Sequence, residues 1–272
     1  MKLLVLGGTG LAGSALVQEL GGLGHTVSAP TRAEYDILGG PLPRTLLDGV
    51  DAVVNAAVLK DLTDRGAAIR VNAEFPHELA RLCADARVKL VHLSSDGVFS
   101  GRAGPYDESS TPDPDDEYGE QKLAGEPSFG LVLRTSIIGP ERRGFGALLC
   151  WLLAQQGSVS GYSDQMWNGV SSVALARAIV TAIARGPLPN GVRHVFADDV
   201  TKQELLIHIS RAFGRTMIIQ PARAPVARDR RLRTRYPEFL AACGLPSLDE
   251  QLAELPRLAD ERGHWRGGWS RR

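Results

Sequence analysis

Leu3-Leu4-Val5-Leu6-Gly7-Gly8-Thr9-Gly10-Leu11-Ala12-Gly13 opens the chain, and its reading decides the fold. Four apolar residues ended by glycine read as a buried parallel strand. From Leu11 the apolar spacing turns helical, through Ala15, Leu16 and Leu20, and closes on Gly21-Gly22. The glycines between have separate uses. Gly7 permits the tight turn, Gly10 lets the backbone approach a pyrophosphate, and Gly13 lets helix and strand pack closely. The helix N–H groups and its positive end then hold phosphate. Three glycines can also mark an ordinary turn. After an apolar strand they indicate a dinucleotide site at Gly7, Thr9, Gly10, Leu11 and Gly13.

Further strands are predicted at His25–Ala29, Asp51–Val54, Val88–Leu93 and Leu131–Leu133, with helices over 67–86 and 116–125. This alternation predicts an α/β chain with a Rossmann-type, doubly wound parallel sheet. Beyond about residue 140 the rhythm weakens. Helices are expected over 145–156, 172–185 and 201–213, and β-prone runs at 192–196 and 216–219. Ser247 and Glu250 form a capping-box pattern that opens a helix over 247–258. The expected division is a dinucleotide-binding domain at 1–157 and a smaller substrate-binding lobe at 158–272, with part of 172–197 returning to the sheet. Gly263–Arg272, rich in Gly and Arg with two tryptophans, reads as a frayed tail or a partner-bound segment.

The bulk properties exclude several classes. The 272 residues are 43% hydrophobic, enough for a full core, and 31 basic residues balance 31 acidic ones. Nothing global favours a nucleic-acid or membrane partner. Cys83, Cys150 and Cys243 are scattered, which suits reduced thiols and a cytoplasmic location. No secretory segment or membrane-length apolar run is visible. No metal site is expected.

Arg32 follows the second strand in Pro30-Thr31-Arg32, where a carboxylate would accept the ribose hydroxyls of NAD. An arginine there suits the extra phosphate of NADP, so NADP(H) is preferred and NAD(H) is the alternative. Arg32 can equally be a solvated loop charge, and Glu34 lies close by. Asp36 and Ile37 form an edge for the adenine. Tyr118 and Lys122 stand four residues apart and share one face of a helix. A nearby ammonium is expected to lower the phenol pKa from about 10 and to hold the nicotinamide ribose. Ser95, at the carboxyl end of a strand, can orient a reacting carbonyl. Each feature also has a plain reading, as a solvated helix pair or a turn. Asn72 is a further candidate, with a helix-surface amide as the alternative.

These residues resemble an extended short-chain dehydrogenase/reductase, most nearly the dTDP-4-dehydrorhamnose reductase group. The resemblance covers nearly the whole chain. It rests on Gly7–Gly13, Asn55-Ala56-Ala57, Val71-Asn72-Ala73, Leu93–Phe99, Leu133–Ser136, Asp164-Gln165 and, most specifically, Tyr118–Glu126. It implies NAD(P)H-dependent reduction of the 4-keto group of a nucleotide-linked deoxysugar, with Ser95, Tyr118 and Lys122 catalytic. It also implies Asn55, Ala56, Ala57 and Asn72 on the cofactor side, and Ser95, Asp96, Gly97, Trp167, Asn168 and Arg230 on the substrate side. A homodimer is compatible with it. Ser95 stands where that group usually carries Thr. Gly97, Ile137–Pro140 and Met166–Ser172 depart from the pattern around the sugar, so the rhamnose substrate does not follow. Two other functions share these motifs: an NAD-retaining nucleotide-sugar epimerase or dehydratase, and a non-catalytic cofactor-binding regulatory subunit. The arginines at 223–235 suit a diphosphate or a solvated surface. The acidic loop at 107–117 suits solvation, helix N-terminal charge or a lid.

Overall fold

A computed structural model describes residues 1–141 and 147–261. The expected tail at 263–272 and the start of the helix expected over 145–156 lie outside the described residues.

The first half runs Lys2–Leu6 (β1), Leu11–Gly22 (α1), Thr26–Ser28 (β2), Ala52–Asn55 (β3), Arg65–Ile69 (α2), Phe75–Ala86 (α3), Lys89–Leu93 (β4), Glu117–Ala124 (α4) and Leu131–Arg134 (β5). The second half begins with Ile137–Ile138 (β6), Leu148–Leu153 (α5), Ser158–Tyr162 (β7), Gln165–Trp167 (β8), Val170–Ser171 (β9) and Ser172–Ala184 (α6). It continues with Gly191–His194 (β10), Val200–Thr201 (β11), Lys202–Ala212 (α7), Ile218–Ala222 (β12) and Arg228–Asp229 (β13). Pro237–Ala242 (α8), Leu248–Ala253 (α9) and Leu255–Glu261 (α10) close it.

Six strands form one parallel sheet in the order β10-β5-β4-β3-β1-β2. The winding reverses between β1 and β3. That reversal opens a crevice at the carboxyl ends, where the loop after β1 and residues 56–57 emerge. Alternation along β1 explains why its run is wholly apolar. Leu3 and Val5 face a core containing Leu16 and Leu20 of α1 and Leu175 and Ile179 of α6. Leu4 and Leu6 face the opposite core with Phe75 and Leu79 of α3. β10 enters the sheet beside β5, with Gly191 opposite Leu131. A third core joins Leu149, Leu152, Trp167, Leu205, Ile209 and Leu252 in the second half.

Three differences from the sequence expectations have physical causes. The helix over 67–86 is one helical stretch interrupted by a π-turn at Arg70–Glu74, which turns Asn72 inward. The helix over 247–258 is two, because Pro256 lacks an N–H and disfavours helical geometry just before it. The pair β7 and β12 is half exposed and carries little alternation, so only part of β12 was legible. The capping box at Ser247 and Glu250 is present in full. Among the described residues, no helix is long and apolar enough to cross a membrane.

Candidate active site

The loop after β1 is a cradle that a side chain would fill. Gly7 adopts φ +76°, and a Cβ there would lie 2.6 Å from the Ala57 nitrogen. A Cβ on Gly13 would lie 2.2 Å from the Gly7 carbonyl oxygen. The Gly10 N–H donates to that same carbonyl at 2.9 Å, which sets the turn. Gly10 caps α1 without any side-chain bond, and the first turn of α1 holds no acid. Its free N–H groups therefore suit an anion. A groove of about 160 Å³ runs from Gly8 and Thr9 past Arg32, Asp36 and Ile37. Glu34 is turned away, because the Thr31 N–H and hydroxyl both donate to it, at 2.8 and 2.9 Å. Arg32 is thus the charged side chain left lining this groove among the described residues, apart from Asp36 at its edge.

Across Thr9, Gly10, Ala56 and Ala57 the groove continues into a cleft of about 420 Å³. Ser95, Asp96, Tyr118 and Lys122 all line it. Three elements converge here. β4 ends at Leu93 and delivers Ser95 and Asp96. α4 starts with Asp116 accepting the Gly119 N–H at 2.7 Å, and presents Tyr118 and Lys122 one turn apart. The Lys122 ammonium donates to the Leu93 carbonyl at 2.8 Å, which ties α4 to the end of β4. The Ser95 hydroxyl donates to Asp96 at 3.3 Å and accepts the Gly97 N–H at 3.0 Å.

The charges differ from the sequence expectation. Tyr118 is pushed up to about 12, chiefly by burial and then by Asp96; a hydrogen bond with Ser95 opposes this, and Asp116 adds a smaller upward push. The expected lowering by Lys122 is not what these surroundings produce, because burial and two carboxylates prevail. Lys122 is itself pushed down to about 8 by burial, against the pull of Glu126. Burial also holds the Asp96 carboxyl above the usual range, despite Lys202 and Arg230 nearby.

Asn55 and Asn72 stand behind the cleft. Asn55 accepts the Ala57 N–H at 3.2 Å and contacts His92 Nδ1 at 3.1 Å, shaping the loop after β3. Asn72 is fully buried, not a helix-surface amide. It accepts the Leu59 N–H at 2.9 Å and donates to the Leu59 backbone carbonyl and to the Gln121 side-chain Oε1, each at 2.8 Å.

Trp167, Asn168 and Arg230 are placed away from the cleft wall. Trp167 is packed in the core of the second half and donates to the Ser136 hydroxyl at 2.7 Å. Asn168 clasps the backbone of Leu232 in both directions, at 2.9 Å each way. Arg230 pairs with Asp115 at 3.0 Å. Arg228 pairs with Asp115 too, and Arg231 and Arg233 hold Asp199. The Asp115 pairs fasten β13 and the residue after it to the acidic loop, and the Asp199 pairs hold the following residues to the turn before β11. Gly97 is buried in the short turn after β4, beside Ser95 and Tyr118.

The sequence reading missed Gln121, Lys202, Thr135 and Ser136. Gln121 had a signal, since it lies between Tyr118 and Lys122. Lys202 had none, because Thr201-Lys202-Gln203-Glu204 reads only as a capped helix start, which it also is.

Residues 1–228 match the RmlD substrate binding domain family. The chain is 33% identical over 254 residues to a dTDP-4-keto-6-deoxy-D-glucose reductase of Streptomyces niveus, covering 86% of each chain. A dTDP-4-dehydrorhamnose reductase structure from Clostridium acetobutylicum superposes with a TM-score of 0.81 at 22% identity, over 96% of this chain and 100% of that one. Another from Bacillus anthracis, in complex with NADP, gives a TM-score of 0.75 at 21% identity, over 93% and 98% of the two chains.

Proposed function

The chain belongs to the RmlD substrate binding domain family, and we propose that it is an NADPH-dependent oxidoreductase that reduces the 4-keto group of a nucleotide-linked deoxysugar. The observation that carries this reading is the meeting of Ser95, Tyr118 and Lys122 in a cleft continuous with the glycine cradle. The kinship with a named 4-keto sugar reductase supports the substrate class. The cradle fits a pyrophosphate because backbone fills the space where side chains at positions 7 and 13 would stand. Gly7, Thr9, Gly10, Leu11 and Gly13 would hold that group, with Ala56 and Ala57 across it. Arg32 supports NADPH over NADH, and the NADP complex of the Bacillus anthracis relative agrees.

When bound, the reduced nicotinamide supplies a hydride to the carbonyl carbon. The residues of this chain manage the oxygen. Ser95 donates to the carbonyl oxygen and orients it. Tyr118 keeps its proton through neutral pH, because burial holds its pKa at about 12. That makes it a proton store which a developing alkoxide, a stronger base, can draw on. Lys122, fixed by the Leu93 carbonyl, would hold the ribose of the cofactor and bring a positive charge to the reacting oxygen. The product is the alcohol, formed from one hydride and one proton.

The test is NADPH oxidation against dTDP-, UDP- and GDP-linked 4-keto sugars. Turnover with at least one is expected. Absence of turnover on all three classes overturns the reading. Cofactor that copurifies, resists exchange and returns to its oxidised form after each turnover identifies an epimerase or dehydratase instead.

A further inference from the structure

We propose that Lys202 is the anchor for the diphosphate of the nucleotide sugar, and so sets the reach between the bound nucleotide and Tyr118. The proposal rests on the reading of the cleft as a nucleotide-sugar site.

Beside the Tyr118 cleft lies a second cavity of about 490 Å³, walled mainly by apolar residues such as Leu148, Tyr162 and Val226. Lys202, the first residue of α7, lines this cavity. Lys202 also lines a small pocket of about 50 Å³ with Ser136 and Ile137. Those two residues line the Tyr118 cleft in turn. Lys202 therefore stands where a sugar-sized compartment meets one of nucleoside size. A diphosphate is the group that joins sugar to nucleoside, and it falls at that junction.

The chemistry of Lys202 points the same way. Its ammonium lies 5.1 Å from the centre of the Trp167 ring. No described side chain or carbonyl hydrogen-bonds it or forms an ion pair with it within reach. Burial pushes it down to about 8; Asp96 draws on it from the catalytic side and Arg230 repels it. A partly buried ammonium that no described residue hydrogen-bonds gains most from an incoming anion. Arg228 is the other cation on the described wall of this cavity, and its guanidinium is already engaged by Asp115 and the Ser100 carbonyl.

The experiment is calorimetric titration of the full chain with dTDP, UDP and GDP, with the matching nucleosides and with NADPH. Wild type, Lys202→Met and Lys202→Arg are compared. Methionine keeps an unbranched stem against Trp167 and removes the charge. Lys202→Met is expected to weaken the preferred nucleoside diphosphate roughly 10- to 100-fold. Nucleoside and NADPH affinities are expected to stay within about twofold, and Lys202→Arg to retain most diphosphate affinity. Equal diphosphate affinity in wild type and Lys202→Met overturns the proposal, as does a parallel loss of nucleoside and NADPH binding. A wild-type chain that binds none of the diphosphates overturns the nucleotide-sugar reading beneath it, which separates the two failures.

Discussion

The division of labour at the site is set by what surrounds each residue. Tyr118 and Lys122 share a helix face, yet they are shifted in opposite senses, up to about 12 and down to about 8. Removing the phenol oxygen in Tyr118→Phe should lower kcat by roughly 10²- to 10⁴-fold while NADPH affinity holds, as fluorescence titration can check. The pH profile follows from the signs. Lys122 carries its charge below about pH 8 and loses it as pH rises through that value, so kcat/KM should fall on an alkaline limb near pH 8. Tyr118 remains protonated across that range and adds no limb there. Lys122→Arg keeps the charge, so the limb should move upward in any variant that still turns over. Tyr118, Lys122 and Ser95 were legible in the sequence because their spacing is local or tied to a strand end. Their proton affinities were not, since burial and the Asp96 carboxylate act through tertiary packing. Trp167 and Asn168 were expected on the substrate side, and the fold engages their polar atoms elsewhere. The Trp167 N–H is taken by Ser136, although its ring lines a small pocket with Lys202, and Asn168 is taken by Leu232.

At the scale of elements, the cleft depends on a few backbone approaches. Gly13 brings α1 against the turn after β1, and Gly13→Ala would force a Cβ to within 2.2 Å of the Gly7 carbonyl oxygen. That overpacking should cost about 1–3 kcal/mol in denaturant unfolding and weaken NADPH binding. The π-turn places Asn72 between the segment after β3 and α4. Asn72→Ala strips the Leu59 backbone and Gln121 of partners, which should cost about 1–3 kcal/mol in the same measurement. The strands of the main sheet and α1, α3, α4, α6 and α7 were legible from apolar period and their stop signals. β8, β9, β11 and β13 were not. They are two or three residues long and exist only through partners far along the chain.

Over the whole molecule, the carboxyl ends of the parallel sheet and the loops after them line the crevice, and Ile137 and Glu141 join it from the second half. The two halves are fastened by ion pairs of Arg228 and Arg230 with Asp115, while Arg231 and Arg233 brace the second half internally through Asp199. This explains why the arginines at 228–233 hold structure where a diphosphate contact was one expectation. It also leaves Arg32 as the cation beside the adenine-side groove, so Arg32→Ala should shift preference from NADPH towards NADH, read as the ratio of kcat/KM values. The most direct test of the central claim follows the hydride itself. The chain is supplied with NADPH deuterated on the transferring face and with the 4-keto nucleotide sugar that supports turnover. The account predicts one deuterium at carbon 4 of the sugar for each NADPH consumed. Oxidation of NADPH without deuterium at that carbon, or conversion of the sugar without NADPH consumption, would contradict it.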